Sequence, residues 1–233
     1  MSKAADLDPD NTNILVCGGG GVAMETVKIL KDMGSWVWML QRHDERKAQL
    51  EKWFAVWAKG DAMDVESLEK VFSGIDQGSV DCVVSTLGGT IQDHAVDSQG
   101  NLNVIEMAKK YGVKKFVLVT SIGCGDSRPF IPEEAAKTLG PVLDEKNKAE
   151  ARLLELAGDM DVVIIRPGGL KSDDATGNGV LIEDKEAIGA ITRKDTAKLV
   201  VKALFSKNTA GKTLAAVDRD TLPAEKEFAV FEA

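Results

Sequence analysis

Four consecutive glycines, Gly18 to Gly21, stand between a short apolar run and a segment whose apolar residues have helical spacing. The run from Asn13 to Cys17 is typical of a buried parallel strand. Val27 and Leu30 recur on one helix face, and Gly34 follows where such a helix would end. Because glycine loses the most conformational freedom on folding, four in a row indicate a turn that needs bare backbone. The chain is therefore predicted to begin its sheet with a strand, a tight turn and a helix.

Apolar runs and helical segments alternate along the rest of the chain. This alternation predicts βαβ units and a parallel sheet. The predicted fold is a single Rossmann-like α/β domain with a doubly wound parallel sheet over residues 13–233, after a flexible stretch at 1–12, and the segment after Pro167 forms a small substrate-side lobe. The predicted strands are Asn13 to Cys17, Trp36 to Leu40, Phe54 to Ala58, Val80 to Ser85, Phe116 to Ser121, Asp161 to Arg166 and Lys212 to Val217. The predicted helices are Ala23 to Met33, Lys47 to Trp53, Val65 to Phe72, Asn101 to Tyr111, Asp144 to Leu156 and Thr196 to Phe205, and residues 122–140 are predicted to be loosely structured.

Charge and composition narrow the class of partner. The net charge of −8 and the pI near 5.0 argue against a protein that binds nucleic acid or an anionic membrane. The sequence contains no run of roughly 18 apolar residues that would span a bilayer, and its polar start lacks the features of a targeting segment. We therefore expect a soluble intracellular chain, or one whose targeting segment has been removed.

Cysteine and histidine usage predicts reduced thiols and no metal site. The three cysteines, Cys17, Cys82 and Cys124, have no metal-binding spacing. The two histidines, His43 and His94, lie far apart and have no cysteine beside them.

The glycine cluster also matches a nucleotide-binding pattern. Gly18, Gly20 and Ala23 satisfy G-x-G-x-x-A, and Gly21 and Val22 complete the turn. Such a turn lets the backbone touch a diphosphate, which then lies at a helix N-terminus whose N–H groups and dipole favour negative charge. The alternative is a glycine-rich turn with no ligand. The strand–turn–helix context favours nucleotide binding, with these five residues at the cofactor.

The end of the second predicted strand bears on the choice of nucleotide. A carboxylate there would hold the ribose 2′-hydroxyl, whereas an arginine would accommodate a 2′-phosphate. Arg42 follows this strand, and Asp44 comes only later. The alternative for Arg42 is a solvated surface cation. The sequence favours NADP, with NAD as the second choice.

A set of motifs in a fixed order resembles a known superfamily. The motifs are VCGGGGVAM, the Gln41-Arg42 strand end, Gly60-Asp61 followed by Asp64, VVSTLGG, FVLVTSIG, KNKAEARL and VVIIRPGGL. Together they resemble the atypical short-chain dehydrogenase/reductase superfamily, in particular its NmrA-like and flavin-reductase-like branch of plant and cyanobacterial type. The resemblance covers approximately residues 13–217. It implies a Rossmann-like fold, a nicotinamide dinucleotide and a reductase activity.

The resemblance also implies roles for residues that match the family's motifs. Gly18 and Gly21 match the first two glycines of its G-x-x-G-x-x-G loop, and Met24 replaces the third. The other implied cofactor residues are Asp61 beside the adenine, with its neighbour Ala62, then Thr86, Leu87 and Gly88 along the cofactor, and Pro167, Gly168 and Leu170 over the nicotinamide.

The family's standard reductases use a serine and a Tyr-x-x-x-Lys pair, in which the tyrosine gives a proton to the substrate oxygen. Ser121 takes the serine position, and Lys148 takes the lysine position, where it would also hold the ribose. Asp144 stands four residues before Lys148, in the place of the tyrosine. An ionised aspartate has no proton to donate, so it does not inherit this role unless its pKa is strongly raised.

Three interpretations remain open for this departure. Asp144 and Lys148 form a surface ion pair; or the protein reduces a flavin or another conjugated heterocycle that takes its proton from water; or it binds the nucleotide without turnover, as a sensor, scaffold or assembly factor. The relatives in oxygenic phototrophs imply a photosynthetic assembly for the last case, and a location in the chloroplast stroma or the cytoplasm. Cys124 is disfavoured as a nucleophile, because no histidine base is near it in the sequence.

Overall fold

A computed structural model describes residues 5–75, 79–90 and 92–233. The strands are β1 (Asn13–Cys17), β2 (Trp36–Gln41), β3 (Val56–Lys59), β4 (Cys82–Ser85), β5 (Lys115–Val119), β6 (Asp161–Pro167), β7 (Gly169–Lys171), β8 (Gly179–Ile182), β9 (Ala190–Thr192) and β10 (Lys212–Asp218). The helices of four residues or more that follow α-helical geometry are α1 (Gly21–Asp32), α2 (Lys47–Lys52), α3 (Val65–Ser73), α4 (Asn101–Lys110), α5 (Glu133–Glu155) and α6 (Arg193–Phe205).

The main sheet has eight strands in the order β3-β2-β1-β4-β5-β6-β10-β8. All neighbours pair in parallel except β10 and β8, which are antiparallel. The strand order reverses between β1 and β4, which is the position where doubly wound sheets bind ligands. The predicted Rossmann-like α/β fold is confirmed, and the separate flexible segment at 1–12 stays a prediction.

Each face of the sheet buries one apolar cluster against helices. α1 and α6 cover one face, where Val27 and Leu30 pack with Val200 and Leu204. α3, α4 and α5 cover the other face, where residues such as Phe72 pack against the sheet. Because both faces are covered, the strands can be apolar on both sides, as the sequence shows.

Helix α5 is longer than the sequence predicts. It begins at Glu133, so the prediction of a loose segment up to Gly140 and a helix from Asp144 is wrong. Pro141 lies inside this helix, although proline lacks an N–H and disfavours a helix interior. The helix continues through Pro141 because Gly140 and Leu143 are buried against the rest of the domain, and tertiary packing overrides local propensity.

The segment after β6 contains strands that the sequence analysis missed. β7 and β9 form a separate two-stranded parallel sheet, and β8 adds the antiparallel edge to the main sheet. β7 and β9 have three residues each, too short for a periodic pattern to emerge. They form the small lobe that was predicted after Pro167.

The boundary of β3 also differs from the prediction. The strand begins at Val56, whereas Phe54 ends the preceding helical turn with a positive φ of 58°. The apolar run Phe54 to Ala58 therefore combines a turn and a strand, which periodicity does not separate. No helix in the described part of the chain is long and apolar enough to cross a membrane.

A buried ion pair joins the amino ends of β5 and β6. Lys115 Nζ lies 3.3 Å from Asp161 Oδ2, and both side chains are fully buried. The ammonium also donates to the carbonyl of Ser206 at 2.6 Å and to Thr209 Oγ1 at 3.2 Å. Burial lowers the pKa of Lys115, and Asp161 opposes this effect. The pair closes the end of the sheet opposite to the cavity described below.

Candidate dinucleotide and substrate cavity

A cavity with two lobes opens at the carboxyl ends of the parallel strands. The smaller lobe has a volume of about 400 Å³ and the larger lobe about 830 Å³. Gly20 and Thr86 line both lobes, so the glycine turn and the loop after β4 lie between them. The cavity therefore lies at the reversal of strand order, where a doubly wound sheet places its ligand.

The glycine turn has a shape that side chains would disturb. Gly18 has φ +126°, and a Cβ there would overlap Thr86 Oγ1. Gly18 is further held by Gln41, whose Nε2 donates to its carbonyl at 2.7 Å. Gly20 differs, because its φ of −79° suits any residue and a Cβ there would meet no atom within 4 Å. This open space at the start of α1 is a cradle that a side chain would fill.

The start of α1 presents free donors to the cavity. Its N-cap is Gly20, and no side chain caps the first turn. The first N–H groups of a helix lack intrahelical partners and carry partial positive charge. Gly21 and Val22, at this turn, line the larger lobe. The arrangement therefore favours an anion at the junction of the lobes.

The smaller lobe brings together eight of the predicted cofactor residues. They are Gly18, Gly20, Arg42, Asp61, Ala62, Thr86, Leu87 and Gly88. Asp61 Oδ1 accepts a hydrogen bond from Met63 N at 2.9 Å, which fixes the carboxylate at the lobe. Arg46 also lines this lobe and was not predicted. Two guanidinium groups, those of Arg42 and Arg46, thus border the lobe where a ribose 2′-substituent is expected.

The larger lobe combines an apolar wall with a few polar groups. Its lining includes the predicted residues Gly20, Gly21, Val22, Thr86, Ser121, Pro167, Gly168 and Leu170. The apolar wall comes largely from α5 and the segment before it, with Ile131, Pro132, Ala135, Leu139, Val142 and Leu143. Ser121 Oγ donates to the carbonyl of Ile122 at 2.9 Å, and its oxygen keeps lone pairs for another donor.

A buried hydrogen-bond network holds Thr120, one of the residues that line the larger lobe. Thr120 Oγ1 donates to Glu150 Oε1 at 2.5 Å. Arg166 donates to both oxygens of the same carboxylate, at 3.1 and 2.7 Å. A buried, bidentate arginine–carboxylate pair holds its geometry well. It ties the ends of β5 and β6 to α5 beneath the cavity.

Lys146, and not Lys148, lies in the larger lobe. Lys146 Nζ lies 2.7 Å from Oδ1 of Asp97, a side chain with 1% of its surface exposed. Asp97 also accepts from the backbone N–H of Gly89 at 2.8 Å. Asp97 belongs to a π-helical turn, Val96–Gly100, just before α4. The carboxylate thus holds the lysine and the loop after β4 in place together.

Two predicted cofactor residues do not line the cavity. Ala23 is fully buried and packs in the core beneath the turn, which fits a small residue where helix meets strand. Lys148 faces outward and pairs with Glu145 at 2.6 Å. Asp144 pairs with Arg128 at 2.8 Å. The expected ion pair between Asp144 and Lys148 is therefore wrong, since each has a different partner.

Cys124 and the single tyrosine of the chain, Tyr111, do not line the cavity. Burial raises the pKa of the Cys124 thiol to about 12, and Sγ lies 3.7 Å from the carbonyl of Leu143. A buried, protonated thiol is a poor nucleophile. The hydroxyl of Tyr111, at the end of α4, donates a hydrogen bond to the carboxylate of Glu69 on α3. All three cysteines are free and buried.

Two cations of the larger lobe escaped the sequence analysis. Lys146 lies three residues after Leu143 and four before Glu150, both of which face inward on α5. The same spacing relates Lys146 to the buried residues Ala149 and Leu153 inside the predicted helix, and this is the signal that distinguishes Lys146 from Lys148. Arg193, the first residue of α6, also lines the lobe. No motif marks Arg193, and only the fold brings it to the glycine turn.

A family model described as NAD(P)H-binding matches residues 18–207. The chain belongs to this NAD(P)H-binding family. The match and the relatives place it in the atypical short-chain dehydrogenase/reductase superfamily, in the NmrA-like branch. The resemblance noted in the sequence is confirmed.

Three relatives illustrate the range of this family. ChuY, an anaerobillin reductase from Escherichia coli O157:H7, is 29% identical with a TM-score of 0.80, covering 91% of this chain and 100% of its own. The uncharacterized sugar epimerase YhfK of Bacillus subtilis is 29% identical over 91% of this chain and 96% of its own length. The photosystem II assembly factor Ycf39 of Synechocystis is 27% identical over 86% of this chain and 60% of its own length.

The cavity fits a nicotinamide dinucleotide on its own geometry. The space beside Gly20 and the uncapped turn of α1 suit the diphosphate. The lobes on either side of this turn have room for the two halves of the molecule. The family match shows that the domain binds a nicotinamide dinucleotide, and this cavity has the volume and the backbone donors to accommodate one.

Proposed function

We propose that this protein is an NADPH-dependent reductase of planar, conjugated substrates that works without a tyrosine acid. The observation that carries the proposal is the larger lobe. Its volume is about 830 Å³, and its wall from α5 and the segment before it is apolar. A concave, mostly apolar space with a few polar groups is the usual form of a small-molecule site. ChuY, which is similar over its whole length, is named as an anaerobillin reductase and supports this choice.

The smaller lobe would hold the adenine half. Asp61 and Ala62 border the adenine position, and Arg42 would bind the 2′-phosphate, with Arg46 beside it. An arginine suits this role because its planar fork matches phosphate geometry. Neither guanidinium has a carboxylate partner within ion-pair distance among the described residues, so both can serve a ligand.

The larger lobe would orient the reacting groups. When bound, the reduced nicotinamide supplies a hydride. Lys146, fixed by Asp97, would hold the nicotinamide ribose and stabilise negative charge that develops on the substrate, and Ser121 would orient a polar atom of the substrate. Ser121 and Lys146 thus replace the predicted pair of Ser121 and Lys148.

The proton has to come from water or from the substrate itself. Four residues before Lys146, where the Tyr-x-x-x-Lys pattern places its acid, stands Val142. Val142 also lines the lobe, so an apolar wall occupies the position of the acid. A conjugated substrate tolerates this, because its reduced form is delocalised and takes up a proton from solvent.

The proposal is tested by following NADPH oxidation with a panel of flavins, quinones and linear tetrapyrroles. Turnover of at least one planar acceptor, and little or none of simple aldehydes and ketones, is the expected result. Tight binding of NADPH with no oxidation by any acceptor would contradict a reductase and favour the alternative below.

The second candidate is a nucleotide-binding subunit of a larger assembly. The apolar residue at the acid position favours it, and the relative Ycf39 is named as an assembly factor. We would then place the protein with a photosynthetic assembly in the chloroplast stroma, or with another assembly in the cytoplasm. Co-purification from the native source separates the two candidates, since this one requires a stable protein partner.

Arg42→Ala is expected to lower the affinity for NADPH about tenfold or more and to leave the affinity for NADH nearly unchanged. A hydrogen bond to a charged group contributes about 1.5–3 kcal/mol, and only NADPH carries the 2′-phosphate. Isothermal titration of both nucleotides measures the difference. Equal losses for NADPH and NADH would mean that Arg42 is a solvated surface cation.

Lys146→Gln is expected to lower the affinity for NADPH about tenfold or more, whereas Lys148→Gln is expected to change this affinity less than twofold. Glutamine can still donate to the buried Asp97, so the variant removes the charge and keeps a partner for the carboxylate. Lys148 is the matched control because it lies on the same helix, outside the cavity. If Lys148→Gln lowered the affinity for NADPH more than Lys146→Gln, Lys148 would be the cofactor lysine, as the sequence motif predicts.

A further inference from the structure

Arg193 is a half-buried cation whose neutral partners leave its charge unbalanced. Its Nη1 donates to Ser172 Oγ at 2.9 Å and to the carbonyl of Leu170 at 3.3 Å. The neighbouring cations differ: Lys194 pairs with Asp174 and Lys198 pairs with Asp195. Among the described residues no carboxylate lies within ion-pair distance of Arg193. A partly buried charge is costly unless something neutralises it.

The stem of Arg193 lies directly over the start of α1. A Cβ at Gly21 would be 2.7 Å from Arg193 Cδ. Gly21 is the first residue of α1, whose N–H groups have no side-chain cap. A guanidinium and a helix N-terminus, both positive, thus face the same part of the larger lobe. An anion between them would satisfy both.

We propose that Arg193 binds the diphosphate of the dinucleotide from the side opposite to the glycine turn. The inference rests on the proposed NADPH site and adds to it a charged residue that reaches the site from α6. It also assigns a second reason for glycine at position 21: the missing side chain makes room for the Arg193 stem. The two bonds through Nη1 hold the guanidinium plane, and Nε and Nη2 remain as donors for the phosphate oxygens.

Arg193→Gln tests the contact with two ligands that differ in the diphosphate. NADPH carries both the diphosphate and the 2′-phosphate, whereas 2′-AMP carries only the 2′-phosphate. We expect Arg193→Gln to lower the affinity for NADPH about tenfold or more and the affinity for 2′-AMP less than twofold. Lys194→Gln, one residue along α6, is the matched control and should leave both affinities unchanged.

A double-substitution cycle tests the role of Gly21. Gly21→Ala should weaken NADPH binding in the wild-type background, because the methyl group displaces the Arg193 stem. In the Arg193→Gln background, Gly21→Ala should lower the affinity for NADPH less than twofold, because the guanidinium that the methyl group would displace is already absent. Similar losses in both backgrounds would overturn the claim that Gly21 serves Arg193. Thermal melting of each variant verifies that the fold is kept.

The outcomes separate this inference from the proposed function. If the wild-type protein binds NADPH and Arg193→Gln binds it equally well, the inference is wrong and the proposed function stands. If Arg193→Gln changes only the KM of an acidic acceptor, the guanidinium serves the substrate and the diphosphate assignment is also wrong. If the wild type binds neither ligand, the proposed NADPH site fails first.

Discussion

Gly20→Val is expected to weaken NADPH binding about 100-fold or more while the protein keeps its fold. The backbone at Gly20 suits any residue, and a Cβ there meets no protein atom within 4 Å. The valine side chain would instead occupy the cradle at the start of α1, where the diphosphate is placed. The loss combines steric exclusion with the loss of N–H contacts to a charged group, each of which contributes about 1.5–3 kcal/mol.

Gly158→Val is the matched control for this experiment. Gly158 is exposed and also has open space around its Cβ position, but it lies in the turn after α5, away from the cavity. Calorimetric titration with NADPH gives the affinities, and thermal unfolding compares the two variants. Unchanged NADPH affinity in Gly20→Val would remove the glycine turn from the cofactor site. Gly18 is unsuitable for this test, because a Cβ there would overlap Thr86 and strain the backbone.

Asp161→Asn is expected to lower the free energy of unfolding by about 3–5 kcal/mol, the usual cost of leaving a buried charge without its partner. Lys115 is fully buried and has Asp161 as its ion-pair partner. For a chain of this size the loss corresponds to roughly 10 °C in the unfolding midpoint. Chemical denaturation measures it directly. Asp159→Asn, which affects an exposed pair with Lys109 at 3.8 Å, should cost about 0.5 kcal/mol or less.

The destabilisation of Asp161→Asn should shrink as the pH rises. Burial lowers the pKa of Lys115 in the folded protein, and Asp161 counters this effect, so removal of the carboxylate lets the pKa fall further. Between the folded pKa and the unfolded value near 10.4, the unfolded chain binds more protons, and stability therefore increases with pH. If the stability difference between Asp161→Asn and the wild type stayed constant up to pH ~10, the charge on the buried Lys115 would not be the cause of the destabilisation.

Local patterns in the sequence predict the parts of this protein that local forces decide. The strands from β1 to β6 were recognised because buried parallel strands are apolar runs bounded by turns. The glycine turn was recognised for a similar reason, since its residues and the flanking strand and helix are contiguous. Nearly all of the predicted cofactor residues accordingly line one cavity.

The rest of the site depends on contacts between distant segments. Lys146 and Lys148 match the family's lysine equally well once its tyrosine is missing, and only the inward stripe of α5 separates them. That stripe, which includes Ala149 and Leu153, lies inside the predicted helix, but the order of the family's motifs pointed to Lys148. Arg193 reaches Gly21 from more than 170 positions along the chain, so no local pattern records the contact.

Strands β5 and β6 each have two ends with different neighbours. At their amino ends lies the buried pair of Lys115 and Asp161, and at their carboxyl ends lie Ser121 and Pro167 in the larger lobe. From Lys115 to Ser121, and from Asp161 to Pro167, the chain advances six residues, which is roughly 20 Å in extended conformation. Substitutions this far apart have nearly additive effects. Changes in the cavity that alter which molecule is accepted should therefore leave the anchoring of the sheet intact, and this separation gives the family's scaffold room to acquire new ligands in evolution.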